Sequence, residues 1–141
     1  MISQTAEYAL RTIVWLAGQD GVPQTTKQIA AATRVPSGYL AKILQNLGRA
    51  GLVKSQRGIH GGFTLAQNPH AMSPLDVLNS IDPLRRIEQC PLGIVGHDTE
   101  LCPLHRRLDD AIAHIESVLA STKISELVAK THMAKSLCVE A

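Results

Sequence analysis

Two thiols and two imidazoles lie within sixteen residues of this chain. Cys90, His97, Cys102 and His105 follow the spacing C-x6-H-x4-C-x2-H. Thiolate and neutral imidazole are ligands that suit zinc or an iron–sulfur cluster. Cys102-Pro-Leu-His105 reads as a helix start, where residues three apart face one side and the helix dipole helps a thiol ionise. The spacing departs from the common zinc-finger pattern, so it points to ligation without naming the metal. Blander readings stand beside this one: two buried hydrophobic cysteines and a surface histidine. An open zinc site with Asp98 or Glu100 as a base is a third reading, but no substrate pocket is evident in so small a chain. Cys138, near the C-terminus, reads as a bystander thiol. The run at the N-terminus is interrupted by Glu7 and Arg11 and does not read as a secretory signal, so a disulfide framework is not expected.

A second set of residues has the chemistry of nucleic-acid contact. Ser37, Gly38, Tyr39 and Lys42 gather at another helix start, and Gln45 lies one turn further on. Free amides there suit a phosphate, and Gly38 permits close backbone approach. The Tyr39 hydroxyl suits the DNA backbone, while Lys42 and Gln45 have the reach of a base edge. Arg57, Gly58 and His60 share a glycine-bearing run, Arg57-Gly58-Ile59-His60-Gly61-Gly62. An arginine at such a tip can enter a minor groove, whose negative potential favours it; His60 reads as shaping the tip or touching phosphate. The alternatives are a partly buried Tyr39 and merely solvated Lys42 and Arg57.

The elements that must carry these residues are legible from periodicity. Helical spacing of Ala6, Leu10, Ile13, Val14 and Ala17 predicts a helix over 3–17. Thr25-Thr26-Lys27-Gln28 is a capping box opening a short helix over 26–32. A turn at 33–36 leads to a third helix through Leu40, Ile43, Leu44 and Leu47, with Gly51 beyond its end. Residues 52–55 and 62–65 read as strands joined by the glycine-bearing tip. Helix, turn, helix and hairpin in this order make a winged helix-turn-helix. Ser73-Pro74-Leu75-Asp76 starts a further helix to about Ile81. Leu104, Leu108, Ala111, Ile112, Ile115, Val118 and Leu119 then define a long helix over 103–120 with a narrow apolar stripe. A short helix over 124–130 follows.

The expected architecture is mainly α with a small β wing. It divides into a DNA-binding domain at 1–68, a connecting helix and Cys/His sensor loop at 69–102, dimerisation helices at 103–130, and a tail at 131–141. Charge follows this division. Residues 1–66 hold seven Lys and Arg against two acids, and 67–141 hold seven against ten. A basic half joined to an acidic half suits phosphate binding by the first. No apolar stretch approaches the roughly 20 residues that span a bilayer, and a cytoplasmic protein is expected.

Several motifs together resemble the IscR/NsrR-type (Rrf) family of bacterial winged-helix transcriptional regulators, across nearly the whole chain. They are Thr5-Ala6-Glu7-Tyr8-Ala9-Leu10, Tyr39-Leu40-Ala41-Lys42, Ala50-Gly51-Leu52-Val53, the wing from Arg57 to Phe63, and Cys102-Pro-Leu-His105. The resemblance implies a homodimer held by the long helix on palindromic double-stranded DNA. It also implies a sensor of redox state, nitric oxide or iron–sulfur supply that works through a cluster in the loop. It carries Tyr39 and Lys42 onto major-groove positions and Arg57 onto the wing arginine. Cluster-binding members usually place three cysteines five residues apart, whereas Gly96 occupies the middle position here. Cys90, Cys102 and His105 match ligand positions, and the fourth ligand falls to His97 or to Glu7 of the partner subunit. Two sulfurs with nitrogen ligands favour a two-iron (2Fe-2S) cluster. The competing expectations are a DNA-binding regulator with structural zinc or a direct thiol switch, a metalloenzyme, and a winged-helix module that binds only protein. A non-enzyme repressor without a small-molecule substrate is the expectation carried forward.

Overall fold

The computed structural model describes residues 2–90, 92 and 100–128. Gly96, His97, Asp98, Cys138 and the 131–141 tail lie outside them. The described elements are α1 (Gln4–Ala17), α2 (Thr26–Thr33), α3 (Ser37–Arg49), β1 (Val53–Gln56), β2 (Gly62–Leu65), α4 (Pro74–Ile81) and α5 (Pro103–Ser121).

Local chemistry explains the boundaries. The Ser3 hydroxyl caps α1 by accepting from the Ala6 amide. Thr25 and Gln28 form a reciprocal capping box at α2. Ser73 and Asp76 do the same at α4, with Pro74 in its first turn. Between α2 and α3 the chain reverses at Arg34, a left-handed residue with φ 59°. Helix α3 runs two residues past Leu47, and Gly51, at φ 75°, turns the chain toward the wing.

One apolar core forms where α1, α2, α3 and the base of the wing meet. Ile13, Ile29, Leu40, Ile43 and Leu47 are wholly buried in it. At roughly 1.5–3 kcal/mol for each buried aliphatic side chain, this cluster dominates the stability of the helix-turn-helix. The strands pair antiparallel with Val53 opposite Leu65 and Gln56 opposite Gly62. The strand of the wing starts at Val53 rather than Leu52, since the Leu52 amide turns back to the Leu47 carbonyl. Gln24 extends the wing by a bridge to Phe63, with two backbone hydrogen bonds of 3.0 and 2.7 Å.

Helix α5 packs on α4. Beyond it, residues 124–128 are helical. This return segment docks back on the core through buried Ile124, whose amide donates to the Met72 carbonyl at 2.9 Å. Leu104, Leu108 and Val118 on α5 stay exposed within the single chain.

Candidate functional site

The polar face of α3 is the complement of its buried one. Leu40, Ile43, Leu44 and Leu47 face the core. Ser37, Gly38, Tyr39, Lys42 and Gln45 are all exposed. Gly38, Lys42, Gln45 and Arg49 recur at steps of four, three and four, so they line one stripe. Arg49 extends that stripe beyond the residues that the sequence singles out. Pro36 precedes the helix without a side-chain cap, leaving the first amides available to an outside acceptor. Beside the stripe lies a cleft of about 690 Å³, lined by Ser3, Thr5, Tyr39, Lys42, Asn46 and Asp82 among others.

Tyr39 is 58% exposed, so it is not a core aromatic. Its ring meets that of Tyr8 edge-on, with centroids 6.1 Å apart. Tyr8 is in turn fixed from α1: the Gln4 amide donates to its hydroxyl at 2.8 Å, and the Arg11 guanidinium lies 5.5 Å from its ring centre. Tyr8 therefore packs against the exposed Tyr39, a contact that helical spacing alone does not reveal.

The wing tip is shaped by glycine. A Cβ at Gly61 would fall 2.3 Å from the Gln56 carbonyl oxygen, and one at Gly62 would meet the Gln24 backbone at 2.5 Å. Gly58 takes φ 116°, open to glycine and strained for other residues. The tip presents Arg57 and His60 to solvent, with Ile59 between them 99% exposed.

A second group of side chains is gathered by the fold: Cys90, Cys102 and His105. Their ligand atoms all lie within 4.8 Å of one another. The His105 Nδ1 is 3.0 Å from the Cys102 sulfur and 3.5 Å from that of Cys90. His105 is buried rather than a surface residue, and both thiols are half-buried. Cys102 is the N-cap of α5 and His105 lies in its first turn, so their contact follows from helical geometry. The thiol makes no cap hydrogen bond of standard geometry. The His105 backbone N–H nevertheless is the main influence lowering its pKa from 9.0 to about 7, assisted by the His105 ring and the Cys90 thiol. Ligands held tetrahedrally at about 2.0–2.3 Å from a metal sit about 3.5 Å apart, so these three side chains fit a metal with small adjustment.

The chain just upstream of Cys90 is tied to α5 by contacts absent from any local motif. Both oxygens of Asp109 accept from Arg86, at 2.7 and 2.6 Å, and its Oδ1 also accepts from the Ile87 amide at 2.8 Å. Arg86 holds the Asp109 carboxyl well below the usual range, at about 2. Glu7 is not part of this group. It is exposed on α1 and paired with Arg11 at 3.3 Å.

Comparison with known proteins places this architecture. A family profile described as Rrf2, iron-dependent transcriptional regulator, matches residues 2–130. The HTH-type transcriptional regulator CymR of Bacillus subtilis is 32% identical over 136 residues, covering 92% of this chain and 91% of that protein. The regulator NsrR of Geobacillus kaustophilus is 28% identical, covering 99% and 97%. Among solved structures, that of CymR, the global cysteine regulator of B. subtilis, superposes with a TM-score of 0.76 at 28% identity, over 92% of this chain and 97% of that one.

Proposed function

The chain belongs to the Rrf2 family of transcriptional regulators, and from that premise we propose a homodimeric repressor that binds a palindromic operator and senses through its Cys/His site. Family membership makes it a DNA-binding regulator with a winged-helix fold. The contacts on DNA are our reading. Ser37, Gly38, Tyr39, Lys42 and Gln45 enter the major groove, while Arg57, Gly58 and His60 bring the wing to the minor groove. The exposed stripe on α3, backed by a fully apolar buried face, supports this assignment. Electrophoretic shift on DNA fragments from upstream of its own gene, searched for a palindromic site, tests it. A steep loss of affinity with salt is expected, and salt-independent or absent binding would overturn it.

The sensor reading rests on one observation, the convergence of Cys90, Cys102 and His105. Cys90, Cys102 and His105 would hold a 2Fe-2S cluster, with His97 or the partner subunit's Glu7 as fourth ligand. When bound, such a group supplies one-electron chemistry and sensitivity to oxidants. The chain's part is to hold the ligands at the N-terminus of α5, where a change in their spacing biases α5 and, through α4, the recognition helices. Anaerobically purified protein is expected to be coloured and to carry iron and sulfide. Colourless protein, even after reconstitution with iron and sulfide, would remove the cluster.

A second reading has its own support. Cys102 ionises near 7 with Cys90 close by, which suits a direct thiol switch or a structural zinc. Elemental analysis separates zinc from iron. Operator affinity of a Cys90→Ser, Cys102→Ser pair with and without oxidant identifies the thiol switch.

A further inference from the structure

The two halves of the Cys/His site are built by different means. Cys102 and His105 share the first turn of α5, so they meet wherever that helix forms. Cys90 has no such guarantee. It ends a nine-residue stretch, Asp82 to Cys90, that leaves α4 without any helix or strand of its own. Upstream of Cys90 itself, the hydrogen bonds that tie this stretch to α5 among the described residues all end on the Asp109 carboxylate. Arg86 grips both oxygens and the Ile87 amide adds a third hydrogen bond. The remaining Arg86 nitrogen reaches Glu116, 4.0 Å away and further along α5. Asp109 stands four residues after His105, one turn along the same face. The fastening point is therefore beside the site, and Cys90 is only the third residue after Ile87.

We propose that the Arg86–Asp109 clamp is the positioning device that delivers Cys90 to Cys102 and His105. The magnitude follows from chain reach. Nine free residues extend to about 30 Å and three to about 10 Å. Effective concentration scales roughly as the −3/2 power of the length of a flexible segment, so cutting nine free residues to three raises that of the Cys90 sulfur at Cys102 about fivefold. The clamp lies outside the ligand set, and it acts on a thiol pair as well as on a metal site. Its metal consequence rests on the sensor reading above; its thiol consequence does not.

The test uses the full chain in a Cys138→Ser background, equilibrated with reduced and oxidised glutathione. One thiolate attacks the glutathione disulfide and releases one glutathione thiolate. The other cysteine then displaces the second glutathione, so two electrons leave the cysteine pair and one disulfide forms. Asp109→Ala is expected to lower the equilibrium constant for the Cys90–Cys102 disulfide about fivefold. Arg86→Gln, which removes a partly exposed side chain, gives a loss in the same direction and serves if the first variant is unfolded. Asp110→Ala, the same charge removed one residue away, is expected to change it less than twofold. In a Cys90→Ser background, Asp109→Ala leaves the alkylation rate of Cys102 unchanged, because that cysteine is placed by α5 itself.

Cobalt(II) titration supplies the metal arm, with a parallel loss of affinity of about fivefold that disappears when Cys90 is already serine. An equilibrium within twofold of the parent, an equal loss in Asp110→Ala, or a parent that forms no Cys90–Cys102 disulfide would each overturn the clamp. A parent that binds no cobalt while the disulfide equilibrium still shifts upholds the clamp and removes metal binding instead.

Discussion

The sulfur of Cys102 sits where a helix terminus and a histidine both favour its anion. The backbone N–H of His105 contributes most, the His105 ring and Cys90 less. In metal-free protein the alkylation rate of Cys102, followed by mass spectrometry, is therefore expected to rise with a midpoint near pH 7. His105→Ala keeps the backbone amide, so the midpoint should move only part of the way toward 9.0. A full return would mean that the ring alone sets it. The linkage to stability has a definite sign. The native thiol loses its proton before the unfolded one does, so folding stability gains from Cys102 as pH rises from about 7 to 9 and is flat above. Asp109 works in the acid range. Its contribution is complete above the ordinary carboxylate pKa of 3.8 and fades as pH falls toward 2. These effects were only half legible in the sequence. The i, i+3 spacing of Cys102 and His105 announces their contact, but Asp109 and Arg86 are 23 residues apart and no local pattern links them.

Elements whose ends depend on near neighbours could be read directly. Thr25 with Gln28 and Ser73 with Asp76 close their capping boxes across three residues, and both helices start where those residues stand. Thr25→Ala should cost about 1 kcal/mol in chemical denaturation with DNA contacts untouched. The wing depends on contacts of another kind. Its turn is visible as a run of glycines, but the bridge to Gln24, nearly forty residues upstream of Phe63, is not. That bridge explains why Gly62 must lack a side chain. Gly61 is the more informative position to change, because its Cβ would press on the Gln56 carbonyl within the hairpin itself. Gly61→Ala is expected to distort the tip, with a stability cost of about 1–3 kcal/mol and a loss of operator affinity similar to that of Arg57→Ala. If Gly61→Ala binds DNA normally, the tip does not enter the groove. The α3 stripe would then carry recognition alone.

At the scale of the whole molecule, α5 is tied to the rest of the chain at both ends. Its start is held through the Arg86 clamp, and the segment that follows it returns to the core at Ile124 and Met72. Along α5 Leu104, Leu108 and Val118 remain exposed, and Leu108 is 45% accessible although it falls within the apolar spacing. A sequence shows such a stripe without saying whether it faces its own chain or another; the monomer fold answers half of this by half-burying Ile112, Ile115 and Leu119 while leaving Leu104, Leu108 and Val118 uncovered. A second copy packed along α5 would bury it and set the distance between two recognition helices, which palindromic DNA requires at about 34–36 Å or a multiple. Leu108→Glu places a charge in the middle of that seam without entering the core. It is expected to convert a dimer to a monomer in sedimentation, to leave the helical content and the Cys102 alkylation profile as they were, and to weaken operator binding at least a hundredfold, because each half-site must then be bound separately. If Leu108→Glu sediments as the parent does and binds the operator equally well, α5 is not the seam, and the distance between wings must be set by another surface.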